Sequence, residues 1–226
     1  MSGTVRQGTP RGKPRQYTPA SLTLSRDPEP VTLCALDISS SAVGLAVVRF
    51  GATGNAQEEP FLLRAILPPP SKRGRDDTAD DARLSRIRYL RAEVKQALRH
   101  YQYIGGAPGF SAVAYEQPNT GGAGATAGIH QAIGAVLTIG YLSLLPLYAV
   151  HATTVKRAAG IPLFRARGQT AESLGEKGAA VRWASASFGV DLCERFGQDA
   201  EHVADALCLA RAAWDKIRAG DGGGMR

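Results

Sequence analysis

Short apolar runs bounded by turn residues follow residue 30 and predict β-strands. Residues 31–36 are almost entirely apolar and are followed by an acidic residue, Asp37. Three serines at 39–41 separate this run from a second one at 43–50, and a third covers residues 61–67. Short apolar runs between turn signals are typical of buried strands. We therefore expect a β-hairpin followed by a third strand.

Apolar residues at helical spacing are frequent in the rest of the sequence. The clearest case is residues 82–101, where one face carries Leu84, Ile87, Leu90, Val94, Leu98 and Tyr101. Further helices are predicted over residues 125–142, 154–159, 173–188 and 200–217, and the one at 173 opens with the capping-box pattern Ser-Leu-Gly-Glu. Residues 110–115 and 145–150 are predicted to be strands. This order of elements predicts an α/β fold with a five-stranded mixed sheet flanked by helices on both faces.

The two ends of the chain differ in composition from the part between them. Residues 1–30 are rich in Pro, Gly, Ser and Thr with scattered Arg, and they contain little to bury. Such segments do not fold by themselves, so we predict a disordered basic N-terminal arm, either solvated or in contact with phosphates. A single domain is expected over residues 31–219, and residues 220–226 are expected to form a flexible tail.

Composition is typical of a soluble globular protein, with 44% hydrophobic and 21% charged residues. No run reaches the roughly 18 apolar residues that a membrane-spanning helix needs, and the N-terminus lacks the apolar core of a secretory signal. The three cysteines are odd in number and form no Cys-x-x-Cys pair, which disfavours disulfides and zinc. We therefore predict a cytoplasmic protein with neither membrane contact nor organellar targeting.

The net charge of +7 favours a polyanionic partner such as nucleic acid, and the basic excess extends beyond the first 30 residues. Lys156 follows a predicted strand and can therefore reach the sheet edge where that strand ends. Lys177 lies in the first turn of a predicted helix, where the helix dipole disfavours a cation, so its position hints at a bound phosphate. With Arg157 and Arg182 these lysines are the candidate DNA contacts, although each alone is also consistent with a solvated surface cation.

Candidate site residues stand at the ends of two apolar strands and in the last helix. Asp37 ends the first strand, and Glu116 ends the strand over residues 110–115. His202 and Asp205 share one face of the last helix at i and i+3. A carboxylate cannot be buried alone without a penalty of several kcal/mol, and ligands of open α/β sheets bind at the carboxyl ends of the strands. Oxygen-rich groups of this kind suit hard divalent ions such as Mg²⁺ or Mn²⁺.

Three carboxylates and a histidine are enough to hold a pair of divalent ions. Paired ions stabilise both the attacking and the leaving oxygen during phosphodiester hydrolysis. We predict two Mg²⁺ ions per site, replaceable by Mn²⁺, with Asp37 bridging them, Glu116 on one ion and Asp205 on the other. His202 is a further candidate, either as a metal ligand or as a group that transfers protons. Two acids at the start of the same helix, Asp199 and Glu201, are reserve candidates for the site. Their alternative explanation is that the helix dipole favours acidic residues in the first turn.

Four segments, taken in order, resemble the motifs of the RuvC family of Holliday-junction resolvases. They are residues 36–44 (LDISSSAVG), 114–118 (AYEQP), 129–135 (IHQAIGA) and 202–207 (HVADAL). The resemblance covers about residues 31–217 and implies an RNase H-like fold. It also implies a Mg²⁺-dependent endonuclease that leaves 5′-phosphate and 3′-hydroxyl ends. Its catalytic and metal-binding residues would be Asp37, Glu116, His202 and Asp205.

The same resemblance implies how the protein engages DNA. The helix containing residues 129–135 would join two chains in a homodimer, whose two sites cut opposed strands of a branched DNA. Lys156 and Lys177 are similar in position to lysines that contact the junction near the site in the family. The expected partners are therefore branched DNA and a second copy of the chain, with no small-molecule cofactor.

The chain departs from the RuvC pattern in three places. Ile38-Ser39 replaces the usual Pro-Gly after the first Asp, and the segment 160–177 is longer than usual. The loop after Glu116 lacks an aromatic residue that could wedge into the centre of a junction. These differences concern the shape of DNA that is recognised, strictly four-way or branched in general, rather than the metal chemistry.

Three other functions are consistent with parts of the sequence. Actin-like and sugar-kinase ATPases share the strand-Asp-turn-Gly opening, but they need a second phosphate loop and an adenosine motif that we do not find. A YqgF-type nuclease of the RNase H-like fold would act on RNA. An inactive homologue would bind DNA without cutting it, and the presence of all four site residues argues against that function.

Overall fold

The computed structural model describes residues 30–51, 59–69, 78–103, 109–118, 123–161 and 178–220. Within them, five strands form one sheet: β1 (Val31–Ile38), β2 (Val43–Phe50), β3 (Glu59–Ile66), β4 (Ala112–Gln117) and β5 (Leu147–His151). The strand order is β3-β2-β1-β4-β5. β2 pairs antiparallel with β1 and β3, whereas β4 pairs parallel with β1 and β5. The sheet is therefore mixed, as predicted.

Six α-helices accompany the sheet in the described part of the chain: α1 (Ala79–Tyr103), α2 (Ala123–Leu137), α3 (Ala152–Ala158), α4 (Ala179–Phe188), α5 (Leu192–Phe196) and α6 (Ala200–Arg218). α1 and α2 pack together on one face of the sheet. α6 lies on the other face, with α3 and α4 against it. The predicted arrangement of helices on both faces is confirmed.

β1 lies at the centre of the sheet and is buried on both faces, which explains its nearly continuous apolar sequence. Successive residues point into different cores, so that Ala35 packs with α6 and Leu36 packs with α1 and α2. The turn into β2 is closed by Ser39. Its backbone N–H donates to the carbonyl of Ala42, and its hydroxyl accepts from the backbone N–H of Ala42, both at 2.9 Å. The serine turn therefore holds the predicted hairpin.

α1 begins at Ala79, earlier than predicted, because its first turn is capped by side chains. The backbone N–H of Asp81 donates to Thr78 Oγ1 at 3.1 Å, and the backbone N–H of Thr78 donates to the Asp81 carboxylate at 3.2 Å. This reciprocal pair has the form of a capping box, with Asp in place of the more common Glu or Gln. The polar residues up to Asp81, which predict a loop, are therefore partly helical.

Two other helix boundaries differ from the prediction. α2 ends at Leu137 rather than near 142, because the buried Ile139 has an extended backbone (φ −67°, ψ 105°) and a short 3₁₀ turn follows. α4 begins at Ala179, directly after Gly178 in the left-handed conformation (φ 75°). The predicted capping box at residues 173–176 lies outside the described part of the chain and stays a prediction.

The sequence pattern does not predict α5, because five residues are too few to show a helical period. Its cap is nevertheless visible in the sequence as an Asp three positions before a Glu. The side chain of Asp191 accepts a hydrogen bond from the backbone N–H of Glu194 at 2.9 Å. The helix ends at Gly197, whose φ of 56° lies in the region that favours glycine.

The predicted basic arm and C-terminal tail fall almost wholly on residues that the structure does not describe, so their disorder stays a prediction. None of the helices that it does describe is both long and apolar enough to cross a membrane. All three cysteines are free thiols, with Cys34 and Cys208 buried and Cys193 exposed.

Gly44 of β2 is the point at which α6 comes closest to the sheet. A Cβ atom there would overlap the carbonyl oxygen of His202 and would lie 2.7 Å from its carbonyl carbon. Only glycine therefore allows the first turn of α6 to rest on β2. This close approach gives a physical reason for the glycine that follows the strand-Asp-turn sequence.

Gly44→Ala is expected to lower the free energy of unfolding by about 1–3 kcal/mol, the usual cost of overpacking a core. The atom that it meets belongs to the backbone of His202, which cannot rotate away. Gly140→Ala, at the start of the 3₁₀ turn after α2, is the matched control, because a Cβ atom there meets nothing within 4 Å, so its free energy of unfolding should change little. Urea unfolding measures both changes. Equal stability of Gly44→Ala and the unmodified protein would contradict the proposed close contact.

Candidate active site

The alternation of side chains along β1 and β4 turns the two strand-end carboxylates to the same face of the sheet. Asp37 lies two positions after Ala35, and Glu116 lies two positions after Ala114, so each carboxylate points to the same face as its alanine. Both alanines lie in the core beneath α6. β1 and β4 are parallel neighbours, so the two carboxylates stand side by side where the strands end. This is the edge at which open α/β sheets bind ligands.

α6 brings a third carboxylate, Asp205, to the same edge. A cleft of about 360 Å³ is lined by Asp37, Glu116 and Asp205 together with Lys156 and Glu201. A larger groove of about 570 Å³ lies between β3 and α1, on the other face of the sheet, and a single carboxylate lines it. The acidic cluster therefore marks the first of these two concavities as the candidate site.

Burial and mutual repulsion raise the pKa values of the strand-end carboxyl groups. Burial is the larger cause for Asp37, and the charges of Asp205 and Glu116 add to it, which together raise its pKa to about 8. Burial and then the charge of Asp205 also raise the pKa of Glu116, against an opposing effect of Lys156. Within the described residues, Lys156 is the one cation that lines the cleft, and a bound cation would relieve the remaining repulsion among the carboxylates.

Asp205 is influenced by its neighbours on α6 as well as by burial. Burial raises its pKa most, and the charge of Glu201 raises it further. His202 and Lys156 act in the opposite direction. Both Glu201 and His202 are therefore close to the Asp205 carboxylate. Glu201 raises the pKa of Asp205, whereas His202 lowers it.

The chemistry of these side chains suits a hard divalent cation, because carboxylate oxygens are the ligands that Mg²⁺ and Mn²⁺ prefer. Among the residues that the structure describes, no three His, Cys, Asp or Glu side chains are arranged to hold one ion between them. Mg²⁺ keeps several of its waters and is usually bound through only one or two carboxylates. The carboxylates that line the cleft are therefore compatible with a Mg²⁺ ion that keeps several of its waters.

The structure brings together the three predicted carboxylates and places His202 beside them. His202 is half-buried next to Asp205, with its backbone carbonyl against Gly44, the pairing partner of Asp37 in the sheet. The reserve candidate Glu201 lines the cleft. Its signal in the sequence is the i, i+4 spacing from Asp205, which puts both on one helix face.

The four residues predicted to contact DNA differ in where they lie relative to the cleft. Lys156 lines the cleft from α3, and Arg157 follows it on the surface as an exposed side chain. Arg182 is exposed on α4, with its guanidinium close to Gly178 at the rim of the cleft. Lys177 lies outside the described residues. The cleft therefore has a basic border on the side formed by α3 and α4.

No protein-family model matches the sequence, and no curated protein matches it. Among solved structures, RuvC of Thermus thermophilus is similar at 21% identity and a TM-score of 0.56, over 84% of this chain and 97% of that one. The same protein in complex with a Holliday junction substrate gives 20% identity and a TM-score of 0.55, over 84% and 97%.

A third similar structure is Fowlpox virus resolvase in complex with Holliday junction DNA, at 9% identity and a TM-score of 0.43 over 84% of this chain and 98% of that one. This likeness is too distant to add to the comparison. The two RuvC structures share the five-stranded mixed sheet with flanking helices. The predicted fold class is thus confirmed, and the chain has the RNase H-like fold.

Proposed function

We propose that the protein is a divalent-metal-dependent endonuclease that cuts branched DNA and resolves Holliday junctions. The observation that carries this proposal is the convergence of Asp37, Glu116 and Asp205 on one cleft of an RNase H-like fold. The RuvC structure of the same fold is in complex with a Holliday junction substrate, which supports branched DNA as the class of substrate.

Asp37, Glu116 and Asp205 would hold Mg²⁺, two ions in each site, with Asp37 as the shared ligand and with Mn²⁺ as a substitute. When bound, the ions supply an activated water and stabilise the charge that develops on the phosphate. The products would carry 5′-phosphate and 3′-hydroxyl ends. Repulsion among the three carboxylates supports this assignment, because a cation is the partner that relieves it.

The basic residues around the site would bind phosphates of the DNA and offset the negative charge of the carboxylates. Lys156 lies near both Glu116 and Asp205 and would contact a phosphate of the DNA backbone at the mouth of the cleft. Arg157 and Arg182 extend this contact along the surface, and we assign Lys177 to the same role from its place in the sequence. Backbone contacts of this kind position the DNA without reading its sequence. His202, beside Asp205, is proposed as the group that exchanges protons with the site.

Resolution of a four-way junction requires cuts in two opposed strands, so the proposal includes a homodimer. α2 is the proposed interface, since its outer side is exposed at His130, Gln131 and Gly134. Small residues there permit close contact between two helices. A protein that remains monomeric at micromolar concentration would contradict this part of the proposal.

The direct test is incubation of the purified protein with a synthetic four-way junction, a linear duplex of the same sequence and a structured RNA. We expect cleavage of the junction in Mg²⁺ or Mn²⁺, none in EDTA, and little cleavage of the duplex. Cleavage of the RNA with an intact junction would support a YqgF-type function instead. Tight binding to the junction without cleavage in any metal would identify an inactive binding homologue.

A further inference from the structure

The β1–β2 turn, α1 and α2 meet at the edge of the sheet where β1 ends. A Cβ atom at Gly128 of α2 would lie 3.4 Å from Cδ of Arg83 on α1 and 3.7 Å from Cβ of Ser40 in the turn. Ser40 follows Asp37 closely in the chain. Arg83 therefore lies at the same edge of the sheet as the carboxylate cleft, but on the face that α1 and α2 cover.

The arginines of α1 differ in what their side chains bind. Nε of Arg91 donates to the backbone carbonyl of Ala135 in α2 at 3.0 Å, so this arginine joins the two helices. Arg83 and Arg86 lie one turn apart on the same helix. Their Nε atoms are also buried, but in the part of the chain that the structure describes neither atom has a hydrogen-bond partner.

A buried donor without a partner lowers the stability of a fold, whereas an apolar side chain of similar length would not. Arg83 and Arg86 are therefore poor choices for packing alone. Arg83 has one ion pair, between its Nη2 atom and the carboxylate of Asp80 at 2.9 Å, and the Asp80 side chain is 74% exposed. Exposed pairs of this kind are weak, so a phosphate can replace Asp80. Both arginines are only partly buried, which leaves part of each side chain open to a ligand.

We propose that Arg83 and Arg86 bind backbone phosphates of DNA, on the opposite side of the end of β1 from Lys156 and the basic border. The inference rests on the proposed function in taking DNA as the ligand at this edge of the sheet. A DNA strand that reaches Asp37 over this edge passes the serine turn, and its next phosphates then lie beside Arg83. A guanidinium group binds a phosphate through two parallel hydrogen bonds, and Ser40 adds a hydroxyl of the kind that also contacts DNA phosphates. Contacts on both sides would hold the strand across the carboxylates.

The test is the salt dependence of junction binding by the full-length protein in EDTA, measured by fluorescence anisotropy with a synthetic four-way junction. Each phosphate contact contributes about 0.9 to the slope of log Kd against log salt concentration. We expect Arg83→Gln and Arg86→Gln each to reduce this slope by about 1 and to weaken binding about tenfold at about 0.1 M salt. Arg99→Gln is the matched control, because it removes the same charge from an exposed position of α1, about 24 Å along the helix from Arg83. Its slope should equal that of the unmodified protein.

Two further variants separate phosphate binding from a role in the fold. Arg83→Lys keeps the charge and should recover most of the slope, although it loses the paired hydrogen bonds. Arg86→Met fills similar space without a buried donor. It should unfold at the same or a higher urea concentration than the unmodified protein, while its slope falls as in Arg86→Gln.

Unchanged slopes in Arg83→Gln and Arg86→Gln, an equal reduction in Arg99→Gln, or no junction binding by the unmodified protein would overturn the inference. If the slope depends on the two arginines but no junction is cut in Mg²⁺ or Mn²⁺, the inference stands and the proposed function fails. If the junction is cut and neither arginine affects the slope, the proposed function stands and the inference fails.

Discussion

Asp37→Asn is expected to slow cleavage of a four-way junction on the order of 10³-fold, the upper range for loss of one group that stabilises charge in the transition state. Asparagine has the size and shape of aspartate but lacks the negative charge that interacts with both Glu116 and Asp205. If Asp37 is the shared ligand, its loss weakens the hold on both ions. DNA binding should persist, because the proposed contacts come from Lys156 and the basic border.

Single-turnover cleavage in Mg²⁺ measures the rate, and a gel-shift titration measures affinity for the junction. Asp215→Asn is the matched control on the same helix. Asp215 is exposed and forms a surface ion pair with Arg211 at 3.1 Å, which contributes at most about 1 kcal/mol, so this variant should cut normally. A rate for Asp37→Asn close to that of the unmodified protein would remove Asp37 from the site and with it the basis of the proposed function.

The metal-free protein is expected to lose stability as the pH rises from about 4 to about 8. The pKa of Asp37 is about 8 in the folded protein, against 3.8 for the ordinary carboxyl group. Between these values the folded state binds a proton that the unfolded state has released, so the free energy of unfolding falls as the pH rises. One such proton corresponds to a slope of about 1.4 kcal/mol per pH unit. The raised pKa values of Glu116 and Asp205 act in the same direction.

Urea unfolding in EDTA at several pH values between 5 and 8 measures this slope. Asp37→Asn should flatten it and should be more stable than the unmodified protein at pH 8, although we expect it to cut far more slowly. Mn²⁺ should also restore stability at that pH, because a bound cation favours the ionised carboxylates. Asp81, whose pKa the hydrogen bonds from Thr78 lower, has an opposite effect, but only below about pH 4. A stability that increases between pH 5 and 8 would contradict the repulsion inferred in the cleft.

The two carboxylates near the strand ends could be predicted because both follow from the pattern of a buried strand. A carboxylate near the end of a buried apolar strand needs a cation, a hydrogen-bond network or solvent, and alternation along the strand gives its face. Asp37 and Glu116 satisfy this rule. The mixed sheet follows from the hairpin of β1 and β2 and from the helices that separate the later strands.

The position of Glu201 in the cleft could not be predicted from the sequence, because it depends on how α6 lies on the sheet. That orientation follows from a backbone contact between Gly44 and His202, and these residues are far apart in the chain. The start of α1 could not be predicted for a different reason, which lies within its first turn. The start of α1 depends on hydrogen bonds between Thr78 and Asp81, and a short polar sequence of this kind also predicts a loop.

The position of α6 in the chain has a consequence during protein synthesis. Asp37 and Glu116 belong to strands that leave the ribosome early, whereas Asp205 emerges only with α6, the last helix described. Until α6 docks, one face of β1 and β2 is uncovered and the cleft has no third carboxylate. If the proposed function is correct, a nascent chain would lack a complete site while it is still attached to the ribosome. Docking of α6 would complete the hydrophobic core and the proposed site in one step.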